Sequence, residues 1–424
     1  MYICLFEDEH VPHLAPLILT RAVYDLRLGI RTLLETIQDA FDDADGVLLH
    51  ARPSIASVTG QEHNLLVNRI PDGLDVLFVN GRYVAENGPV LDRLKQAART
   101  SEPGRVFVQG DEVIAAWVPN ANSRFVESDA VTRASFEGMP EEHVDGVRLI
   151  GRLWHLMDEL IPALHRDYDA CTSGYNVFER PGVKLQQGAI LVNPEQIYIA
   201  PGATVCAGAI LSAEHGPIYI DRNARIMENA ILRGPLYVGP HSEIKTVADV
   251  EACAFGPWCK VNGEVHESVL LSYSNKAHSG YLGNAYLGRW CNLGADTNNS
   301  NLKNDYGIVS MYDPVTRTYE PTGRQFAGLI MGDHSKCGIN FMFNTGTVVG
   351  VFCNLYGTGF PPRYVPSFTW GGPEDGLTEY RLDKALKVAE AVMARRDIPF
   401  TDADREMLTC VFEATQAERM AQPV

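Results

Sequence analysis

Ile197-Tyr-Ile-Ala-Pro-Gly-Ala-Thr-Val-Cys-Ala-Gly-Ala-Ile-Leu211 carries a large aliphatic side chain at every sixth residue, Ile199, Val205 and Leu211, with small Ala203 and Ala209 two residues ahead of the second and third. The same spacing returns at Ile220, Ile226 and Leu232, at Val238, Ile244 and Val250, and at Phe255 and Val261. It resumes at Leu287 and Leu293 and at Met331, Cys337, Phe343, Val349 and Leu355. Small side chains keep their place two residues earlier, as at Ala224, Ala230, Ser242, Ala248, Cys253, Cys259, Ala285, Cys291, Ser335, Thr347 and Cys353. A helical period does not generate six-residue recurrence, whereas the alternation of a strand points both members of each pair inward. A large residue that fills the interior and a small one at a tight corner make the hexapeptide repeat of a parallel β-helix. Cys253, Cys259, Cys291 and Cys353 fall in small slots and read as small buried apolar groups.

The repeat breaks between Gly294 and Leu329, where Asn298, Asn299, Asn301, Asn304, Asp313, Pro314 and Pro321 predict a loop that leaves the ladder. Ahead of the repeats, Met1 to Phe6, Gly46 to His50, Val76 to Val79 and Arg105 to Val108 are short apolar runs. They alternate with helical spacing over Gly29 to Phe41, which predicts an α/β unit with a mostly parallel sheet. Val147 to His165 reads as the helix that ends it, and Leu377 to Arg396 as an amphipathic helix. Thr401 caps a last helix carrying Met407, Leu408, Val411 and Phe412. The expected division is an α/β domain over 1–170, a β-helix over 171–365 and a helical tail over 366–424.

A formal charge of −17 speaks against a phosphate-backbone binder, since nonspecific nucleic-acid affinity needs clustered Lys and Arg. The nine cysteines are odd in number and contain no Cys-x-x-Cys pair, which fits a reducing cytoplasmic setting. Acidic residues follow Met1 too soon for a signal peptide, and no run reaches the ~18 apolar residues of a membrane helix. The expectation is a protein without nucleic-acid or membrane partners.

The most polar part of the repeats, Ser272 to Asn304, mixes lysines, a histidine, tyrosines, carboxamides and glycines with regularly placed aliphatics. Within it, Lys276-Ala-His-Ser-Gly-Tyr-Leu-Gly283, then Asn292-Leu-Gly-Ala-Asp-Thr297 and Asn301, closely resemble the acetyltransferase domain of the bifunctional N-acetylglucosamine-1-phosphate uridylyltransferase/glucosamine-1-phosphate acetyltransferase family. The whole chain resembles a divergent bacterial branch with a shortened nucleotidyltransferase-like domain. The resemblance implies a left-handed β-helix, a cytoplasmic homotrimer with sites between subunits, acetyl-CoA as co-substrate and an amino-sugar phosphate as acceptor. It also implies UTP and Mg²⁺ as requirements of an active N-terminal domain.

Acetyl transfer to an amine needs a base with a pKa near neutrality beside the attacking nitrogen, a task that suits histidine. By its match, His278 is the expected general base. Tyr281, Asn292 and Asn301 match positions that hold the sugar phosphate and the reacting groups, and Ala295 a position whose backbone meets acetyl-CoA. Lys276, Lys303 and Lys260 are expected on the phosphate, and His266 stands where the family has a phosphate-binding lysine. Asp296 replaces a family glycine.

In the N-terminal domain the family's glycine-rich loop is absent, and the matching stretch, Glu7 to Leu14, is acidic. Arg21, Arg27 and Arg31 are candidates to replace its amides with charged phosphate contacts, with Asp25 between them, and Asp111 is a candidate metal carboxylate. Structural arginines paired with the acidic loop would look the same. Two other functions stay open: a hexapeptide acyltransferase acting on another amino sugar, and a non-catalytic assembly protein with a degenerate nucleotidyltransferase domain. A β-helix hydro-lyase would need three converging histidines, and the spacing of His241, His266, His278 and His334 gives no ligand signature.

Overall fold

Short strands stack in parallel along three faces in a computed structural model that describes residues 1–99, 103–172 and 182–420. The first face runs from Lys184–Leu185 through Thr204–Val205, Arg225–Ile226, Glu243–Ile244 and Lys260–Val261 to Asn275–Lys276. A bridge through Asn292 carries it on to Lys336–Cys337, Asn354–Leu355 and Thr369–Gly372. The second face runs from Ile190–Val192 to Tyr281–Gly283, and the third, of nine strands, from Ile197–Ile199 to Tyr364–Val365. The six-residue aliphatics point inward, and Ile199, Val205, Leu211, Ile220, Ile226 and Leu232 are all fully buried. The four cysteines in small slots are buried too, and every cysteine in the chain is free.

One edge of this prism turns through residues in the left-handed backbone region, among them His241, Trp258, Tyr273, Trp290, His334, Phe352 and Phe368. Such φ values are costly for bulky residues. Ring stacking along the edge offsets the cost: His241 on Trp258 at 4.4 Å, Tyr273 on Trp290 at 4.1 Å and His334 on Phe352 at 4.8 Å.

The break in the repeats is shorter than its composition predicts. Asn298–Asn299 continues the coil, paired in parallel with Met342–Phe343. The Asn299 carboxamide accepts from Gly283 N at 2.8 Å and donates to Gly283 O at 2.9 Å, so a side chain supplies the rung that backbone would otherwise make. Only the residues after it loop out, and they close into an antiparallel hairpin, Ser310–Asp313 with Thr318–Pro321.

The N-terminal domain has a six-stranded sheet in the order β2-β1-β3-β5-β4-β6: β1 is Tyr2–Phe6, β2 Gly46–Leu49, β3 Leu74–Asn80, β4 Arg105–Gln109, β5 Glu112–Ala121 and β6 Glu141–His143. It is mostly parallel, as expected: β1, β2, β3, β4 and β6 run the same way, and β5 alone is reversed, antiparallel to both β3 and β4. Helices α1 (Leu33–Ala40), α2 (Pro53–His63), α3 (Pro89–Arg99) and α4 (His155–Thr172) flank it. Helix α1 begins after a capping box, Thr32 with Glu35, four residues later than periodicity alone suggests. Helix α4 starts eight residues later than predicted, since Leu149 pairs with Tyr83 as an extended segment before the chain can turn.

The third face of the β-helix is covered by this domain. Its outward residues Tyr198, Tyr237, Val269, Tyr286, Ile330 and Val348 share one hydrophobic core with β1, α1 and α4. Polar links seal the seam. Tyr286 Oη bonds the Arg27 backbone at 2.9 Å, and Asp333 Oδ2 accepts from Thr20 Oγ1 at 2.8 Å and from the Arg21 guanidinium. Helices α5 (Leu382–Ala394), α6 (Asp402–Ala414) and α7 (Gln416–Met420) follow a strand at Gly376–Glu379, so α5 begins five residues after the predicted start. Thr401 caps α6 as expected, with Asp404 completing the capping box. The pair α5–α6 lies on the flank, where Met393, Phe400, Met407 and Leu408 meet Thr20, Val58, Trp290 and His334.

Candidate functional site

The polar stretch 272–304 runs through Asn275–Lys276, Tyr281–Gly283, Tyr286–Leu287, the bridge at Asn292 and Asn298–Asn299, and the corner between the first two strands presents His278. Its imidazole is exposed, not turned into the aliphatic interior. The corner is held from inside. Register places Lys276 in line with Val205, Ile226, Ile244 and Val261, a slot whose side chains fill the core. Lys276 is 1% exposed, and its Nζ donates to the carbonyls of His278 at 2.7 Å, Ser279 at 3.0 Å and Asn262 at 3.0 Å. Burial pulls its pKa down to about 8. The expected role of Lys276 on a phosphate is therefore corrected: three carbonyls take its three donors, and it pins the backbone that carries His278. The signal was available, since Lys276 lies six residues after Leu270 and six before Leu282, both inward positions.

On the outer side of the second face, Asn301 Nδ2 donates to Tyr281 Oη at 2.9 Å and to Asn284 Oδ1 at 2.7 Å. Asn284 in turn donates to Glu267 Oε2 at 2.8 Å. Burial raises the Tyr281 pKa, so its hydroxyl remains a neutral donor and acceptor. The His266 ring lies 6.1 Å from that of Tyr281, with a buried Nε2 that makes no hydrogen bond and has Glu264 Oε1 3.7 Å away. Tyr281, Asn301 and His266 thus form one cluster.

Asn292 does not join it. It sits on the first face, beside Asn275 Nδ2 at 3.5 Å, around the corner from Tyr281. Lys303 stands in the excursion, paired with Asp305 at 3.3 Å, on a separate cavity of about 690 Å³ with Arg363 and Phe360. Lys260 pairs with Glu243 at 3.2 Å. The Ala295 carbonyl already accepts from Asn340 N at 2.7 Å. Asp296, in place of the family glycine, keeps the left-handed backbone that position requires, with φ of 56°, and its carboxylate accepts from Ser279 Oγ.

The N-terminal candidates are used elsewhere. Arg21 is buried, donating to Leu17 O at 2.5 Å and to Asp333. Burial raises the Asp333 pKa, and Arg21 more than offsets this, holding the carboxyl below its ordinary range. Arg27 donates to Ile30 O, and its guanidinium lies 5.2 Å from the Tyr237 ring centre. Arg31 pairs with Asp167 at 2.9 Å. As nucleotide contacts, Arg21 and Arg27 are corrected to links between the domain and its support. The acidic loop closes on its own arginines, Glu7 on Arg52 at 2.7 Å and Asp8 on Arg82 at 2.5 Å. Asp111 is a fully exposed hairpin-turn residue, 3.9 Å from Arg133.

Asp25 lies 2.9 Å from His63 Nε2, and with Glu62 these form the one group of three or more His, Cys, Asp and Glu among the described residues whose ligand atoms all lie within 4.8 Å of one another. Arg289 pairs with Glu62 at 2.5 Å. Mg²⁺ prefers an octahedron of oxygens, and an imidazole with an adjacent guanidinium does not fit it. Among the described residues no helix is long and apolar enough to cross a membrane.

Residues 3–176 match the family described as sugar nucleotidyl transferase. "Bifunctional protein GlmU" of Methanocaldococcus jannaschii is 29% identical over 121 residues, 28% of this chain and 29% of that protein. "Bifunctional sugar-1-phosphate nucleotidylyltransferase/acetyltransferase" of Sulfurisphaera tokodaii is 31% identical over 93 residues, 22% of this chain and 23% of that protein. The match to these two curated relatives thus spans under a third of their length. Among solved structures, the Francisella novicida UDP-N-acetylglucosamine acyltransferase aligns over 56% of this chain and 89% of its own, at 10% identity and a TM-score of 0.27.

Proposed function

We propose that this chain, a divergent relative of the bifunctional GlmU-type proteins with a sugar nucleotidyl transferase domain at residues 3–176, N-acetylates glucosamine-1-phosphate with acetyl-CoA at its β-helix. The observation that carries the reading is the corner itself: an exposed imidazole on a backbone clamped by a buried lysine, next to a neutral Tyr281–Asn301–Asn284 network. His278 takes the proton from the amine as its nitrogen bonds the acetyl carbonyl carbon. The carbon–sulfur bond then breaks, and the departing thiolate receives a proton. Neutral carboxamides and a phenol can read sugar hydroxyls without perturbing the base.

Asn292 and the Tyr281 cluster look outward from different faces of a convex prism, so one chain does not bring them onto one ligand. Packing of three copies side by side would place the first face of one against the second face of the next. That is the form in which we propose the site is complete, as a homotrimer in a reducing cytoplasm.

Uridylyl transfer from UTP with Mg²⁺ is a separate reading that rests on the domain match, not on Arg21, Asp25 or Arg27. Pyrophosphate release from UTP with N-acetylglucosamine-1-phosphate supports it, and its absence with Mg²⁺ present removes it. For the acetyl step, thiol release with glucosamine-1-phosphate is expected to fall by roughly 10²- to 10⁴-fold in His278→Ala. Equal rates in the two proteins would remove the base, and consumption of thioester only with a different amino sugar would move the substrate.

A further inference from the structure

Between the first face and α5 lies a groove of about 590 Å³, lined by Lys260, Asn275, Asn292, Lys336, Arg395 and Arg396. Four cations and two carboxamides converge there, and no carboxylate lines it. In a chain of net charge −17 such a gathering has an electrostatic purpose, because most arginines of this protein pair with an acid. Lys260 has Glu243. Lys336, Arg395 and Arg396 have no carboxylate within ion-pair distance among the described residues. Arg396 reaches only Asn275 Oδ1, at 3.5 Å, and lies 5.9 Å from the Trp258 ring centre. Lys336 donates to His334 O at 2.9 Å, which leaves two of its three donors. Burial among like charges destabilises such groups, and Lys336 is held down at about 8 by desolvation. Two arginines just past the end of α5, Arg395 at its C-cap and Arg396 beyond, would steady the helix dipole without any groove, but that role does not explain the lysines facing them.

We propose that this groove binds the phosphoryl group of a small organic phosphate, with Lys336, Arg395 and Arg396 supplying the charge and Asn275 and Asn292 neutral donors. The proposal rests on the acetyl-transfer reading for what the phosphate belongs to. Ala277, next to His278, also lines the groove, so a phosphate held here lies beside the corner of the candidate base. Two sources share this chemistry: the phosphate of the acceptor sugar, and the diphosphate of an adenosine-bearing co-substrate, for which the stacked Tyr273 and Trp290 offer a ring wall.

The test is isothermal titration calorimetry on the full chain with glucosamine-1-phosphate, ADP and inorganic phosphate. At least one organic phosphate is expected to bind. Arg396→Ala and Lys336→Met are each expected to weaken it about tenfold or more, the scale of a lost charge-assisted contact, while Lys387→Ala on the exposed side of α5 leaves it unchanged. Arg395→Ala, at an exposed position, gives the same readout without risk to folding. Which ligand responds names the source. No heat with any of the three, or affinity unchanged in Arg395→Ala and Arg396→Ala, overturns the proposal. Binding lost in these variants, in a protein that transfers no acetyl group, upholds the groove and removes the acetyl-transfer reading. Acetyl transfer with both KM values unchanged in the variants does the reverse.

Discussion

Lys276 occupies a slot that every neighbouring coil gives to an aliphatic residue, and its ammonium is tolerated there because three carbonyls surround it. Lys276→Met keeps the length and loses the donors. Removal of a buried charge and loss of its bonds oppose one another in stability, so the melting temperature is expected to shift by only a few degrees. The His278 backbone, no longer clamped, is expected to cost acetyl transfer roughly tenfold in kcat with a smaller change in KM, read by thiol release. His334 offers a pH test. Burial pushes its pKa down to about 3, against an ordinary 6.5, and its Nδ1 has no partner. Between those values the unfolded chain binds a proton that the folded chain does not, so stability is lost as pH falls from about 6.5 towards 3, by up to about 1.4 kcal/mol per pH unit. His334→Phe keeps a ring on Phe352 and removes the titration. Denaturant unfolding at pH 7 and pH 5 is expected to show a smaller acid loss in the variant; an equal loss would refute the assignment.

At the scale of elements, a side chain keeps the coil going where composition announces a loop. Asn299 both accepts from and donates to Gly283. Asn299→Asp can still accept but faces the Gly283 carbonyl with a second acceptor, at a buried position. A loss of about 2–3 kcal/mol is expected in chemical denaturation, with reduced acetyl transfer because Asn301 follows two residues on. The excursion beyond it is anchored: Asp313 lies 2.6 Å from His13, and Glu320 lies 3.0 Å from Arg152. These partners are some 300 and 168 residues apart in the chain, which is why no local pattern announces them. The six-residue spacing, in contrast, was legible because each coil repeats one local packing problem.

Over the whole molecule, the N-terminal domain and the prism share one core, and one transition is expected in differential scanning calorimetry. Arg21→Met leaves Asp333 buried without its cation and is expected to cost about 3–5 kcal/mol and to split that transition; adding Asp333→Asn should recover part of the loss. By itself the sequence determined the β-helix, the inward residues and the capped α6, because each follows from spacing within a few coils and neighbouring residues, whereas His278 was singled out by family resemblance and its exposure came from the structure. Only the tertiary structure decided that Arg21 and Arg27 bind the prism, that Lys276 points inward beneath His278, and that α5 faces Lys336 across a groove. Those outcomes depend on which charges meet over long chain separations once the third face is covered, and a guanidinium or ammonium has the same sequence signature whether it meets a ligand, a carboxylate or a carbonyl.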